Sequence, residues 1–172
     1  MRMKKAGEKS SVFLGRKFFG KSNMKSRICI RGDKGSVEQN INAVFLTQKL
    51  VQIDSTNPGA GEAGMERFLA GFARQLPGGQ VCVQKEEVTE GRNNVMLTLP
   101  GKTDQPELVF ICHMDTVPAG EGWNIDPFLG EIINDKIYGR GSCDMKSGFA
   151  CALSAFQNAV NYSINHKMPG RT

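Results

Sequence analysis

A run of five apolar residues, Leu108-Val109-Phe110-Ile111-Cys112, ends in His113-Met114-Asp115. In an extended chain, positions i and i+2 project to the same side, so the imidazole of His113 and the carboxylate of Asp115 can touch. Ligand sites of open α/β sheets lie at the carboxyl ends of strands, where this pair falls. A metal-bound imidazole commonly gives its other ring N–H to a carboxylate, which fixes the tautomer and raises ligand basicity. Taken alone, His-x-Asp is a short motif with many false positives, and a strand-end His beside a turn Asp is the plainer reading. The second candidate is Asp144, reached through Tyr138-Gly139-Arg140-Gly141-Ser142-Cys143 at the expected start of an apolar helix. An aspartate there is a good N-cap. It is equally a carboxylate kept ionised by the helix terminus and approached closely by glycine backbone, ready for a cation.

The elements that must position these groups follow from periodicity. Ser36 and Gln39 form a capping-box pattern, and Ile41, Val44, Phe45 and Val51 continue at helical spacing, predicting a helix over 36–53. A second helix is predicted over 62–76, with Met65, Phe68, Leu69, Phe72 and Leu76 on one face and Pro77-Gly78-Gly79 as its terminator. Strands are predicted over 81–88, 94–99 and 107–112, the last without alternation, as in a central strand covered on both faces. A polar loop leads to a short strand pair, 130–133 and 136–138, turned by Asn134-Asp135, and a helix over 145–160 carries Phe149, Ala152, Leu153 and Phe156 on one stripe. Helix and strand alternate, so the expected class is α/β with a central sheet flanked by helices.

Charge separates an arm from this body. Residues 1–34 hold eleven basic against two acidic residues, and the remainder eleven basic against fifteen acidic. The basic excess therefore belongs to a terminal segment, and nucleic acid is not the expected partner of the body. Residues 1–35 lack sustained periodicity and read as a disordered arm. Its apolar pieces are too short for a secretory signal, and Met24 is an alternative start. Five cysteines without paired spacing favour a reducing compartment, and cytoplasm is the expected location. No window approaches the ~18 consecutive apolar residues of a membrane span.

The two candidate motifs become specific together with the loop between them. Cys112-His113-Met114-Asp115-Thr116-Val117-Pro118, then Gly122-Trp123-Asn124-Ile125-Asp126-Pro127-Phe128, then Gly130-Glu131-Ile132, then Ile137-Tyr138 with the glycine-flanked stretch through Asp144-Met145-Lys146-Ser147-Gly148, closely resemble the zinc aminoacylase family. That family includes acetylornithine deacetylase, succinyl-diaminopimelate desuccinylase and the glutamate carboxypeptidases. Leu50-Val51-Gln52-Ile53-Asp54-Ser55-Thr56-Asn57-Pro58 is similar to the family's first helix and following loop, and the resemblance covers about residues 38 to 160. It implies the N-terminal part of a co-catalytic zinc peptidase domain spanning 36–160, preceded by the arm and followed by a tail, 161–172, unlike any family segment. It further implies His113 as ligand of one zinc, Asp144 as the carboxylate bridging two, Asp115 as the catalytic-site acid that orients His113, and a cis peptide at Asp144–Met145. Two Zn²⁺ ions are the implied cofactor, with Co²⁺ or Mn²⁺ as alternatives. The implied reaction cleaves the amide bond of an N-acyl amino acid or small peptide, with a glutamate as general base.

The pattern is incomplete. Between Met145 and Thr172 there is no Asp or Glu, so the general-base glutamate and further carboxylate ligands of the family are absent from these residues. A catalytic zinc normally keeps three protein ligands, and His113 with Asp144 supplies two groups for a two-metal site. The expectation is therefore a metal-binding fragment without activity of its own. The rival is a non-catalytic remnant whose basic arm binds nucleic acid or acidic surfaces. Gly59-Ala60-Gly61-Glu62-Ala63-Gly64 spells a dinucleotide fingerprint but follows a helix and Asn57-Pro58 instead of a strand, and is set aside.

Overall fold

The structure, a computed structural model, describes residues 11–15, 27–29, 42–79, 81–101 and 108–166, the first two stretches by backbone alone. Along the chain these form β1 (Ser11–Gly15), β2 (Arg27–Cys29), α1 (Ala43–Val51), α2 (Ala63–Gln75), β3 (Cys82–Thr89), β4 (Arg92–Thr98), β5 (Val109–His113), β6 (Glu131–Ile133), β7 (Lys136–Tyr138) and α3 (Ser147–Asn165). The class is α/β. No helix among the described residues is long and apolar enough to cross a membrane.

Asn42 starts α1: its side-chain oxygen accepts from the Phe45 N–H at 2.8 Å, satisfying one of the helix's free first-turn donors. The Ser36 and Gln39 capping box lies outside the described residues. Helix α2 buries Met65, Leu69, Phe72 and Ala73 along one stripe. The N-cap position of α2 belongs to Glu62, which does not cap. Its carboxylate instead accepts from Arg92 Nε at 3.0 Å and from Arg92 Nη2, pinning α2 to the start of β4. Glu66, one turn on, pairs with Lys85 and accepts from Asn93 Nδ2 at 2.8 Å.

Strands β3 and β4 form an antiparallel hairpin in which Val83 faces Leu97 and Lys85 faces Val95. Period-two alternation turns Val83, Val95 and Leu97 to one side, and that side joins a single apolar cluster with α1, α2 and α3, in which Leu50, Leu69, Phe149 and Leu153 are fully enclosed. The sheet order is β2-β3-β4-β1-β5, with β6 and β7 as a separate pair.

Two expectations are corrected here. Segments of the basic arm are strands: β1 runs parallel to β4 and antiparallel to β5, with Val12 opposite Val95 and Cys112, and β2 pairs with β3. An apolar triplet such as Val12-Phe13-Leu14 is too short to show a period, and only partners some eighty to a hundred residues away make it a strand. The rest of the arm lies outside the described residues. Strand β5 is not covered on both faces: Cys112 is buried, but Ile111 is 64% exposed and Leu108 is exposed as well. Its apolar run asks for cover on two sides, and the described residues supply it on one. At the other end, α3 continues through residue 160 to Asn165, so the proposed tail boundary is no break in the fold.

Candidate metal and substrate site

Three connections converge at the carboxyl end of β5. The loop after α1 bridges to the loop after β5, with Thr116 N–H donating to Ser55 O at 2.9 Å and Asn57 N–H to Thr116 O at 2.8 Å. The stretch between β7 and α3 packs against both, through Gly141 on Thr116 and Lys146 on Ile53. Gly141 there has φ +79°, and a Cβ on it would lie 2.5 Å from Thr116 Cγ2, so only glycine lets this strand-to-helix connection approach β5. Lys146, buried at the end of the connection, reaches across and donates from Nζ to Ile53 O at 2.7 Å. Burial lowers the pKa of that ammonium to about 8, against a smaller opposing effect of Asp54.

Within this frame His113 and Asp144 meet. His113 Nε2 lies 2.9 Å from Asp144 Oδ1, and the peptide between Asp144 and Met145 is cis. Asp144 is not an N-cap: α3 starts at Ser147, while Asp144 has extended backbone (φ −126°, ψ 99°) and an 89% exposed side chain. The capping explanation of this aspartate therefore fails on geometry. The backbone N–H of His113 donates to Met145 Sδ at 3.4 Å, a second tie between the two segments.

Asp115 stands at the other ring nitrogen of His113 and meets it with two oxygens. His113 Nδ1 hydrogen-bonds to the backbone carbonyl of Asp115 at 2.9 Å, and the Asp115 carboxylate oxygen stands 3.4 Å away. A carbonyl only accepts, so Nδ1 carries the proton. Nε2 then faces Asp144 either as a second donor, in an imidazolium, or as a lone pair set against a carboxylate that a shared cation would reconcile. Asp115 Oδ1 is buried with no hydrogen-bond partner, and so are Ser55 Oγ, Thr116 Oγ1 and Arg140 Nε. Among the described residues these are all the buried side-chain polar atoms without a partner, and three of the four residues, Asp115, Thr116 and Arg140, line one cavity. Buried polar groups are normally paired, so such clustering marks a place built around something further.

The cavity has a volume of about 580 Å³, with His113, Asp115, Arg140, Cys143 and Asp144 on its walls. The donor chemistry suits a divalent metal: an imidazole nitrogen, a converging carboxylate and a fixed tautomer. It is not a full ligand set. Among the described residues no group of three or more His, Cys, Asp or Glu side chains could hold a metal ion. Asp115 lies on the Nδ1 side of the ring, away from Asp144. Cys112 is buried and takes no part, its thiol pushed up to about 11 by burial. Arg140 is the residue that sequence reasoning passed over. Its signal was the glycine on either side, which holds an arginine at a fixed point of the rim.

Residues 109–169 match the family model for peptidase family M20/M25/M40. The match runs past residue 160, where the resemblance was expected to stop. The succinyl-diaminopimelate desuccinylase of Sulfurovum sp. (strain NBC37-1) is 36% identical over 123 residues, covering 72% of this chain and 31% of that protein. Its counterpart in Gluconobacter oxydans (strain 621H) is 54% identical over 119 residues, 65% of this chain and 28% of that protein. That of Nautilia profundicola is 37% identical over 123 residues, with 71% and 31% covered. The chain thus spans under a third of the length of these curated relatives.

Proposed function

We infer, from the premise that this chain belongs to peptidase family M20 as an N-terminal portion, that it carries part of the metal centre of an amide-bond hydrolase. The observation that supports this best is the 2.9 Å approach of His113 Nε2 to Asp144 Oδ1, two side chains thirty-one residues apart that meet at a strand end. His113 would hold one Zn²⁺ through Nε2, and Asp144 would bridge two, with Co²⁺ or Mn²⁺ as substitutes. When bound, the ions supply Lewis-acid polarisation of the scissile carbonyl and acidify the attacking water. The chain's own part is to keep the Nδ1 proton on the Asp115 carbonyl, so that the Nε2 lone pair is presented, and to hold Asp144 against it through the Gly141 and Lys146 contacts.

The substrate class is an N-acyl amino acid or small peptide in the whole protein, giving an amine and a carboxylate. Residues 145–172 contain no carboxylate side chain, so the general base, an assistance worth roughly 10²–10⁴-fold, has to come from polypeptide outside them. These 172 residues alone are expected not to hydrolyse N-acyl amino acids or dipeptides. The rival reading, a remnant acting only through a free basic arm, fits poorly with β1 and β2, which place two pieces of that arm in the sheet.

The test is calorimetric titration of the chain with Zn²⁺. Binding is expected, and it weakens on His113→Ala and on Asp144→Ala. Affinity unchanged in both variants removes the metal assignment, and zinc-dependent turnover by the unaltered chain removes the claim of inactivity.

A further inference from the structure

A second cavity of about 440 Å³ lies beside the first, and Arg140 is part of the wall of both. The volume is within the roughly 300–1,000 Å³ usual for small-molecule sites. Its aromatic walls are Trp123 and Tyr138, and its charged groups are Arg140 and Glu121. The arginine is held rigidly: its Cζ lies 5.4 Å from the centroid of the Trp123 ring, and its Nη2 donates to Ala119 O at 2.8 Å. Trp123 Nε1 donates to the same carbonyl at 2.8 Å, so one backbone oxygen locks the cation and the ring that stacks on it.

What this leaves over is informative. A guanidinium has five N–H donors in a planar fork suited to carboxylates. Here one is used on Ala119, and no carboxylate among the described residues pairs with the group. Glu121 shares the cavity without bonding to it and is exposed. A half-buried, pre-oriented cation on an aromatic face, with an acid lining the same hollow, is complementary to a ligand carrying both charges on one small unit.

We propose that the cavity bounded by Trp123, Tyr138, Arg140 and Glu121 is a subsite for the head group of an α-amino acid, its carboxylate on Arg140, its ammonium toward Glu121 and its apolar body against the rings. Because Arg140 also faces the His113 and Asp144 cavity, an elongated substrate can place its amide in one hollow and a free amino-acid end in the other. Only this link rests on the hydrolase reading; the subsite itself does not.

Trp123 is the chain's single tryptophan, so tryptophan emission, excited to the red of tyrosine absorption, reports on this cavity. The full chain is titrated with L-leucine, with N-acetyl-L-leucine, which lacks the ammonium, and with L-leucinamide, which lacks the carboxylate, each with and without Zn²⁺. A saturable change is expected with leucine, about tenfold weaker binding of N-acetyl-leucine, and no response to leucinamide. Glu121→Gln should lower leucine to the level of N-acetyl-leucine and leave the latter unchanged. Arg140→Met should abolish both. Since Arg140 also ties down the rim, its replacement can disturb the loop, and the exposed Glu121 carries the decisive comparison. No saturable response to leucine, equal binding of the three compounds, or an indifferent Glu121→Gln overturns the subsite. Zn²⁺ titration of the same samples separates the two ideas. Metal binding without a leucine response leaves the hydrolase reading standing and ends this one, and a leucine response without metal binding does the reverse.

Discussion

His113 is useful only because its proton is committed elsewhere, and the group that commits it is a main-chain carbonyl 2.9 Å from Nδ1. Removing the Asp115 side chain therefore leaves that hydrogen bond in place. Asp115→Asn is expected to weaken Zn²⁺ binding by no more than about tenfold, the lower end of the 10–100-fold cost usual for an outer-shell partner. His113→Ala should remove binding, and a hundredfold loss in Asp115→Asn by calorimetry would show that the carboxylate itself does the orienting. The cysteines give an independent reading of the same cavity. Cys143 and Cys151 are exposed, Cys82 and Cys112 are buried, and burial pushes the Cys112 thiol up to about 11. Iodoacetamide at pH 8 should alkylate Cys143 and Cys151 and spare Cys112, since the thiolate is the reacting form. Zn²⁺ should slow alkylation of Cys143, beside Asp144 on the cavity wall, without protecting Cys151, and peptide mass spectrometry distinguishes the two. The residues themselves were legible in the sequence because their motifs are local. What was not legible was which oxygen of Asp115 accepts the closer hydrogen bond from Nδ1, the carbonyl at 2.9 Å or the carboxylate at 3.4 Å.

At the scale of elements, two acid–base contacts hold α2 to the β3–β4 hairpin, and they are not equivalent. Glu62 is 3% exposed and Lys85 is 40% exposed. Arg92→Ala strands a buried carboxylate and should cost about 3–5 kcal/mol, whereas Lys85→Ala opens a pair near solvent worth about 0–1 kcal/mol. Urea titrations of the two variants giving equal midpoints would contradict this. Lys146 makes the stability depend on pH. The unfolded chain keeps the ammonium protonated up to its ordinary 10.5, while the folded chain, in which burial is the dominant influence, releases the proton near 8. Between those values the unfolded state binds more protons, so the stability of the metal-free chain should rise with pH across that window, and the rise should vanish in Lys146→Met. Most elements could be read from periodicity: α2, β3, β4 and the β6–β7 pair fall within a residue or two of expectation, because each presents a clear stripe or alternation to one core. The start of α3 could not. Asp144 looks like a cap in sequence, whereas its extended backbone and the close approach of Gly141 to Thr116 take it out of the helix and set it against His113.

For the whole molecule the decisive feature is the uncovered side of β5. The sheet order puts β5 at the margin, joined among the described strands only to β1, while Ile111 and Leu108 stand exposed on a run whose composition demands burial on both faces. An unpaired edge bearing exposed apolar side chains is a template for another chain. The outcome expected for the purified 172 residues is concentration-dependent self-association, visible by sedimentation velocity. Ile111→Lys should shift it toward monomer by placing a charge on the exposed face. Zn²⁺ affinity should fall modestly at the same time, because Ile111 is two residues from His113 on β5, projects to the same side, and brings a positive charge toward the bound cation. Deleting residues 1–23 tests the opposite side of the same strand. It removes β1, whose ladder sets Ser11 opposite His113 and Val12 opposite Cys112, and so should loosen β5 from β4 and weaken metal binding together with stability. A chain starting at Met24 that folds and binds Zn²⁺ as tightly as the full sequence would show that β5 holds its place through α3 and the Thr56–Thr116 bridge alone.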